Sequence, residues 1–209
     1  MQRYAPELEK RCRPHLKTTT DSWRVDETYI KIKKVWFYPY RAVDARGNTL
    51  EFLLSPTRDA DAATRFFCKA LHATAGSAPQ VDSAQELVAR PTAPVEPTAS
   101  TTRAPRVINV DKNAAYPKAI ADLKATGVLP KSVELRHVKY LNNLIEQDHR
   151  FSKRLTKPIP GFVSFETAWR TLQGFEVMNM MCKGQLQEVG KGDVRGQMAF
   201  VAKLFGVAA

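Results

Sequence analysis

Three carboxylates occur where a purely structural residue gains little: Asp26, Asp111 and Glu146. Asp26 interrupts the β-branched and aromatic run Trp23-Arg24-Val25-Asp26-Glu27-Thr28-Tyr29-Ile30, and Asp111 closes the apolar run Val107-Ile108-Asn109-Val110. Glu146 follows in Leu141-Asn142-Asn143-Leu144-Ile145-Glu146-Gln147-Asp148-His149-Arg150, a segment with helical spacing of its apolar residues. Like charges brought together repel and raise one another's pKa, so three convergent carboxylates persist only around a cation. Oxygen ligands with no thiolate or imidazole among them favour Mg²⁺ or Mn²⁺. Two such ions held by three carboxylates suit an in-line displacement at a phosphodiester. Each residue alone has a plainer reading. Asp26 could face solvent from an edge strand, Asp111 could cap the helix that follows, and Glu146 could belong to a solvated helix face shared with Asn143, Arg150 and Lys153. Only the three together point to chemistry.

The elements needed to bring them together are legible. With 209 residues and 44% hydrophobic content, the chain is long enough for one substantial α/β core. Strand-like runs cover Trp23 to Lys33, Val35 to Asp44 and Thr49 to Ser55, the last two joined by Ala45-Arg46-Gly47-Asn48, which has the Gly and Asn of a tight hairpin turn. A helix is predicted from Asp59 to Thr74, a strand from Arg106 to Asp111, a helix from Ala114 to Ala125 and a strand from Val133 to Tyr140. Two helices follow, Asn142 to Lys157 and Ser164 to Leu186. The order βββαβαβαα predicts an α/β, RNase H-like fold, a mixed five-stranded sheet flanked by helices. Ala75 to Pro105 is rich in Pro, Ala, Ser and Thr and has no aromatic residue, so it reads as a disordered surface insertion. Residues 1–20 are polar and basic, with a short helical possibility around Tyr4 to Arg11, and the expected organisation is 1–20, a core over 21–186 and an extension over 187–209.

Thirty-two Lys and Arg against 21 Asp and Glu give a net charge of +11, spread over the chain rather than gathered in a tail. That balance suits a surface following a phosphate backbone, and no apolar run is long enough to cross a bilayer. A soluble, intracellular, polyanion-binding protein with no membrane partner is the expectation. Cys12, Cys68 and Cys182 are odd in number and far apart, which indicates neither a disulfide framework nor a zinc site.

Several motifs taken together resemble the bacterial DDE transposases of insertion sequence family six: Trp23-Arg-Val-Asp-Glu-Thr-Tyr29, Tyr40-Arg-Ala-Val-Asp44, Arg58-Asp-Ala-Asp-Ala62, Asn109-Val-Asp-Lys-Asn-Ala-Ala-Tyr-Pro117, Asn142 to Arg150 and Phe165 to Gly174. The resemblance implies a retroviral-integrase-like core that cuts at element ends and joins the exposed 3′-hydroxyl to target DNA. It implies Asp26, Asp111 and Glu146 as the catalytic, metal-holding triad for two Mg²⁺ or Mn²⁺ ions. Lys153, seven residues after the glutamate, with Arg150, Asn143 and Lys112, becomes the expected DNA-contacting set. A homo-oligomer on DNA, associated with the bacterial nucleoid, is also implied. Members of the family begin with a helix-turn-helix region, of which residues 1–20 look like a remnant. Pro39, inside an interior strand, is expected to remove a ladder donor and to destabilise the sheet. A truncated chain that binds DNA or intact transposase without catalysis is the alternative reading. A general RNase H-like nuclease accounts poorly for the Trp23 to Tyr29 and Phe165 to Gly174 motifs.

Overall fold

A computed structural model describes residues 3–74, 104–138, 143–156 and 162–207. All of the Ala75 to Pro105 segment except its last two residues lies outside them, as do Tyr140 and the Lys157 to Gly161 connection. The chain divides into two compact units, residues 19–165 and residues 1–18 with 166–209.

The first unit is built on a six-stranded sheet: β1 (Ser22–Glu27), β2 (Ile30–Ile32), β3 (Val35–Asp44), β4 (Thr49–Ser55), β5 (Val107–Val110) and β6 (Glu134–His137). The path runs β2-β3-β1-β5-β6, with β4 on β3; β1, β3 and β4 pair antiparallel, and β1, β5 and β6 pair parallel. Helix α2 (Ala60–Thr74) follows β4, α3 (Ala115–Ala125) links β5 to β6, and α4 (Asn143–Thr156) comes after β6. An antiparallel hairpin set that continues into parallel strands joined through helices is the RNase H-like arrangement. The sheet has six strands rather than the five predicted, because the run Trp23 to Lys33 is broken at Thr28-Tyr29 into β1 and β2.

Pro39 explains both the break and why it is tolerated. Thr28 N donates to Pro39 O at 3.0 Å, and in an antiparallel ladder the N–H and C=O of one residue face the same neighbour. The donor that Pro39 lacks therefore falls opposite the interruption, while its other side keeps register with Leu54 of β4. The missing donor thus coincides with the break between β1 and β2, while β3 stays paired on both of its sides. At the other end of β3, Gly47 takes the positive φ (83°) of the tight turn. The buried Asp44 carboxylate accepts from Thr20 N (3.0 Å), Arg46 N (2.8 Å) and Asn48 N (2.8 Å) there, so its charge is compensated by backbone donors.

Alternation in β1 sends Trp23 and Val25 into the core, where they meet Tyr40 and Ala42 of β3, Ile108 and Val110 of β5, Phe66 and Phe67 of α2 and Tyr116 of α3. The Tyr40 ring stacks on Phe66 with centroids 5.7 Å apart. Every residue of β4 and β5 is buried, as strands covered on both faces require.

The second unit contains α1 (Ala5–Cys12), α5 (Phe165–Cys182, of which Phe165 itself falls in the first unit) and α6 (Val194–Leu204). Cys12, Val177, Met181, Leu186, Val189 and Phe200 form its core. The Leu16–Leu186 bridge and the buried Glu9, paired with Arg13 at 2.5 Å and accepting from Gln173 Nε2 at 2.9 Å, tie its N-terminal and C-terminal segments. α5 thus groups with α1 rather than with the sheet, and α6 lies in the region that sequence patterning left unassigned. Among the described residues no helix is long and apolar enough to cross a membrane.

Candidate active site

β1 and β5 are parallel neighbours with Arg24 opposite Asn109, so two residues further along Asp26 and Asp111 stand level at the strands' C-terminal ends. The buried Asn109 amide donates to Trp23 O at 2.9 Å and fixes that register. Ligand oxygens of Asp26, Glu27 and Asp111 all lie within 4.8 Å of one another. Two of the three predicted carboxylates are thus brought together, with a neighbour that sequence reasoning did not single out.

Glu27 differs from the other two in its surroundings. Its side chain is 2% exposed and receives the Arg58 guanidinium, the Tyr116 hydroxyl and, at 3.1 Å, Asn113 Nδ2. Arg58 also approaches Asp111, Nη2 to Oδ2 at 3.9 Å, and so stands between two carboxylates. Partial burial works against the guanidinium charge, but Glu27 and then Asp111 outweigh it and raise its pKa. The Tyr116 phenol is pushed well above its ordinary value, first by burial and then by Glu27. Asp26 is only partly covered, at 19% side-chain exposure, and among the described residues it accepts Glu27 N at 3.0 Å. Asp111, 37% exposed, accepts Asn113 N at 3.0 Å. A set of oxygen donors, two of them open to solvent, fits a hard divalent cation.

α4 supplies the remaining candidates. It is seated by the buried Ile145 and by Asp148, whose carboxylate lies 4.0 Å from Arg41 Nη1, and Arg41 is the β3 residue opposite Asp26. His149 Nε2 lies 3.4 Å from Asp26 Oδ2. Glu146 is one helical turn before His149 and on the same face, half exposed at 52%, with Arg150 4.0 Å away. It does not belong to the group that closes within 4.8 Å; the helix that carries it touches that group through His149. Lys153 lies with its Nζ 4.9 Å from the centre of the Tyr29 ring. Arg150 and Lys112 are exposed, and the side chain of Asn143 lies outside the described residues. The signal for Glu27 was an acid next to Asp26 in an apolar strand together with Arg58 in its motif, but nothing local linked the two.

Residues 20–85 and 97–185 match the family model of the IS240 transposase DDE domain. The chain belongs to this DDE transposase family. The stretch left out of the match, 86–96, falls inside the Ala75 to Pro105 segment, and the matched stretches include all three carboxylates. This DDE-family chain is 34% identical over 185 residues to the transposase for insertion sequence-like element IS431mec of Staphylococcus aureus, covering 88% of the chain and 67% of that protein. The same figures hold for the Staphylococcus aureus transposase of element IS257 in transposon Tn4003. An uncharacterized Yersinia pseudotuberculosis protein, pYV0051, is 32% identical over 106 residues, 51% of this chain and 76% of that one. Among solved structures, the HTLV-2 integrase catalytic core domain in complex with magnesium overlaps 84% of the chain and 93% of its own at 14% identity and a TM-score of 0.48. The Mos1 transposase catalytic domain with Raltegravir and Mg overlaps 86% and 87%, at 14% identity and 0.47.

Proposed function

We propose that this chain carries out DNA strand cleavage and strand transfer in the movement of an insertion sequence, with Asp26, Asp111 and Glu146 as the ligands of two Mg²⁺ or Mn²⁺ ions. The observation that carries this reading is the convergence of Asp26 and Asp111 at the ends of adjacent parallel strands, inside the matched DDE domain. When bound, such ions supply Lewis acidity to the attacked phosphodiester and activate the attacking hydroxyl. Asp26 and Asp111 would share one ion, and Asp26 and Glu146 the other. Glu27, already engaged by three side-chain donors, holds the frame. His149 backs Asp26 and sets its orientation. Lys153, Arg150, Lys112 and Asn143 grip phosphates and carry no base information. Strand nicking and joining use the same geometry, with water as the nucleophile first and a 3′-hydroxyl second. The partners are element ends and target DNA, and the working form is an oligomer on DNA in the bacterial cytoplasm.

The test uses pre-nicked element ends with Mg²⁺ or Mn²⁺, and Glu146→Gln, which keeps volume and helix while removing a charge. DNA binding should survive in the variant and fall steeply with salt, whereas strand transfer should vanish. No transfer by the unaltered chain refutes the enzymatic reading for this copy; full transfer by Glu146→Gln refutes the triad.

A further inference from the structure

β2 and β3 form a hairpin whose closing pair, Ile32 and Val35, encloses a two-residue turn of Lys33 and Lys34. Both lysines have positive φ, 48° and 68°, the mirror-image turn that Asn-Gly ordinarily fills. Placing two lysines there keeps two charges at the tip against a backbone preference, the kind of outlier that marks a functional segment. Register puts Lys31 directly across from Trp36, and period-two alternation puts Tyr29 on the same face. Tyr29 and Trp36 pack edge to face with centroids 5.0 Å apart, and remain 56% and 45% exposed. Lys31 Nζ lies 4.5 Å from the Trp36 ring centre and Lys153 Nζ 4.9 Å from that of Tyr29.

The opposite face of the hairpin is anchored. Ile32 is buried and bridges to Phe162, Lys33 N donates to Phe162 O at 2.9 Å, and Phe37 lies against Phe165 at 5.7 Å. The aromatic face is therefore held out on a fixed support. No acidic residue occurs from Thr28 to Arg41, a stretch that holds Lys31, Lys33 and Lys34, so the hairpin itself is cationic.

We propose that this hairpin is a stacking platform for an unpaired base of single-stranded DNA next to the acidic cluster, an inference that rests on the transposase reading. Lysines alone would suffice for a duplex backbone; exposed rings among them add what an unstacked base needs, a π-face within a cationic groove. A second copy of the chain fits poorly, since a symmetric contact would set lysine against lysine. Tyr29 is three residues from Asp26, and Lys153 is two helical turns from Glu146. Either path gives roughly 10 Å, about three steps along one strand. The platform thus receives a base a few nucleotides from the scissile phosphate.

The experiment titrates the full chain, in EDTA, with a fluorescent single-stranded oligonucleotide, the matching duplex and a forked duplex. Trp23 and Trp169 are buried, so quenching of exposed tryptophan emission reports Trp36. Single strand should quench that emission. Trp36→Leu and Tyr29→Ala should weaken single-stranded and forked binding about 5- to 150-fold while leaving duplex binding within about twofold, and Trp36→Phe should retain most of the affinity. Equal losses on duplex and single strand, absence of quenching, or unchanged DNA binding with altered sedimentation would each overturn the platform. Unchanged melting temperatures show that the variants fold. Because no metal is present and no transfer is read, a failure of the catalytic reading would leave this result intact and separately visible.

Discussion

Truncating Glu27 tests whether the buried carboxylate is a frame for the site rather than one of its ligands. Glu27→Ala strands three donors. The Tyr116 hydroxyl, in the core beside Tyr40 and Phe67, loses its acceptor, and a buried unsatisfied donor costs about 1–3 kcal/mol. Asn113 is half-buried and loses a 3.1 Å bond, on the order of 1 kcal/mol. Arg58 is 48% exposed, so water recovers most of what its ion pair supplied and that contribution is discounted. Relief of repulsion with Asp26 and Asp111 offsets a fraction of the loss. The net expectation is about 2–3 kcal/mol, which in a chain of this length lowers the melting temperature by roughly 5–10 °C. Glu27→Gln keeps one acceptor for Tyr116 and should lose about half as much. The assay is thermal unfolding in EDTA, followed by circular dichroism and by hydrogen exchange across β1 and α3, where the loosening should concentrate. A melting temperature within about 1 °C of the parent for Glu27→Ala, or loosening confined to α1 and α6, would refute the argument.

Asp111→Asn should be neutral or slightly stabilising in EDTA, because it removes a carboxylate from an acidic cluster. It should also abolish the Mg²⁺-induced rise in melting temperature, which for the parent corresponds to about 2.7 kcal/mol at a hundred times the dissociation constant; a full rise in the variant would exclude Asp111 as a ligand. Tyr116 keeps its proton in the folded chain well above the ordinary tyrosine range, for reasons of burial and Glu27, whereas unfolded tyrosine titrates near ~10. Stability from this group is therefore complete below about pH 10 and falls as pH rises above it, and alkaline unfolding profiles should be flatter in Tyr116→Phe. Burial pushes the Cys12 thiol up to about 12 and raises Cys68, while Cys182 is exposed. A thiol reagent at pH 8 should label Cys182 rapidly and the other two only on unfolding.

What was legible in the sequence was what nearest neighbours decide. β3 and β4 begin and end where apolar alternation and the Gly47 turn indicate, and Asp26 and Asp111 stood out because carboxylates are costly in apolar runs. The break between β1 and β2 was hidden because it depends on Pro39 across the ladder, and the Lys33-Lys34 turn because lysine carries no turn preference. α6 offered a local cue in Asp193, which accepts from Gly196 N at 2.9 Å as an N-cap, but its apolar stripe is thin. Glu27 was the largest omission. Its partners Arg58, Asn113 and Tyr116 stand 31, 86 and 89 positions away, so its burial is a property of the fold alone.

Adjacent carboxylates with opposite surroundings also bear on the proposed ligand set. Glu27 is saturated: donors occupy both of its oxygens, and it is closed to solvent. To take a metal it would have to surrender bonds whose loss leaves Tyr116 unsatisfied in the core. Asp26 and Asp111 each accept a backbone N–H, and the His149 ring and the Arg58 guanidinium approach them at 3.4 and 3.9 Å. These distances are loose enough to attract without filling the coordination capacity of the oxygens. The pair is held close by strands whose register is fixed by Asn109, and a divalent ion bound there would relieve their repulsion without breaking a strong bond. On the proposed reading, donor saturation is what would separate a residue that frames the site from those available to act in it, although ligand oxygens of all three stand within 4.8 Å.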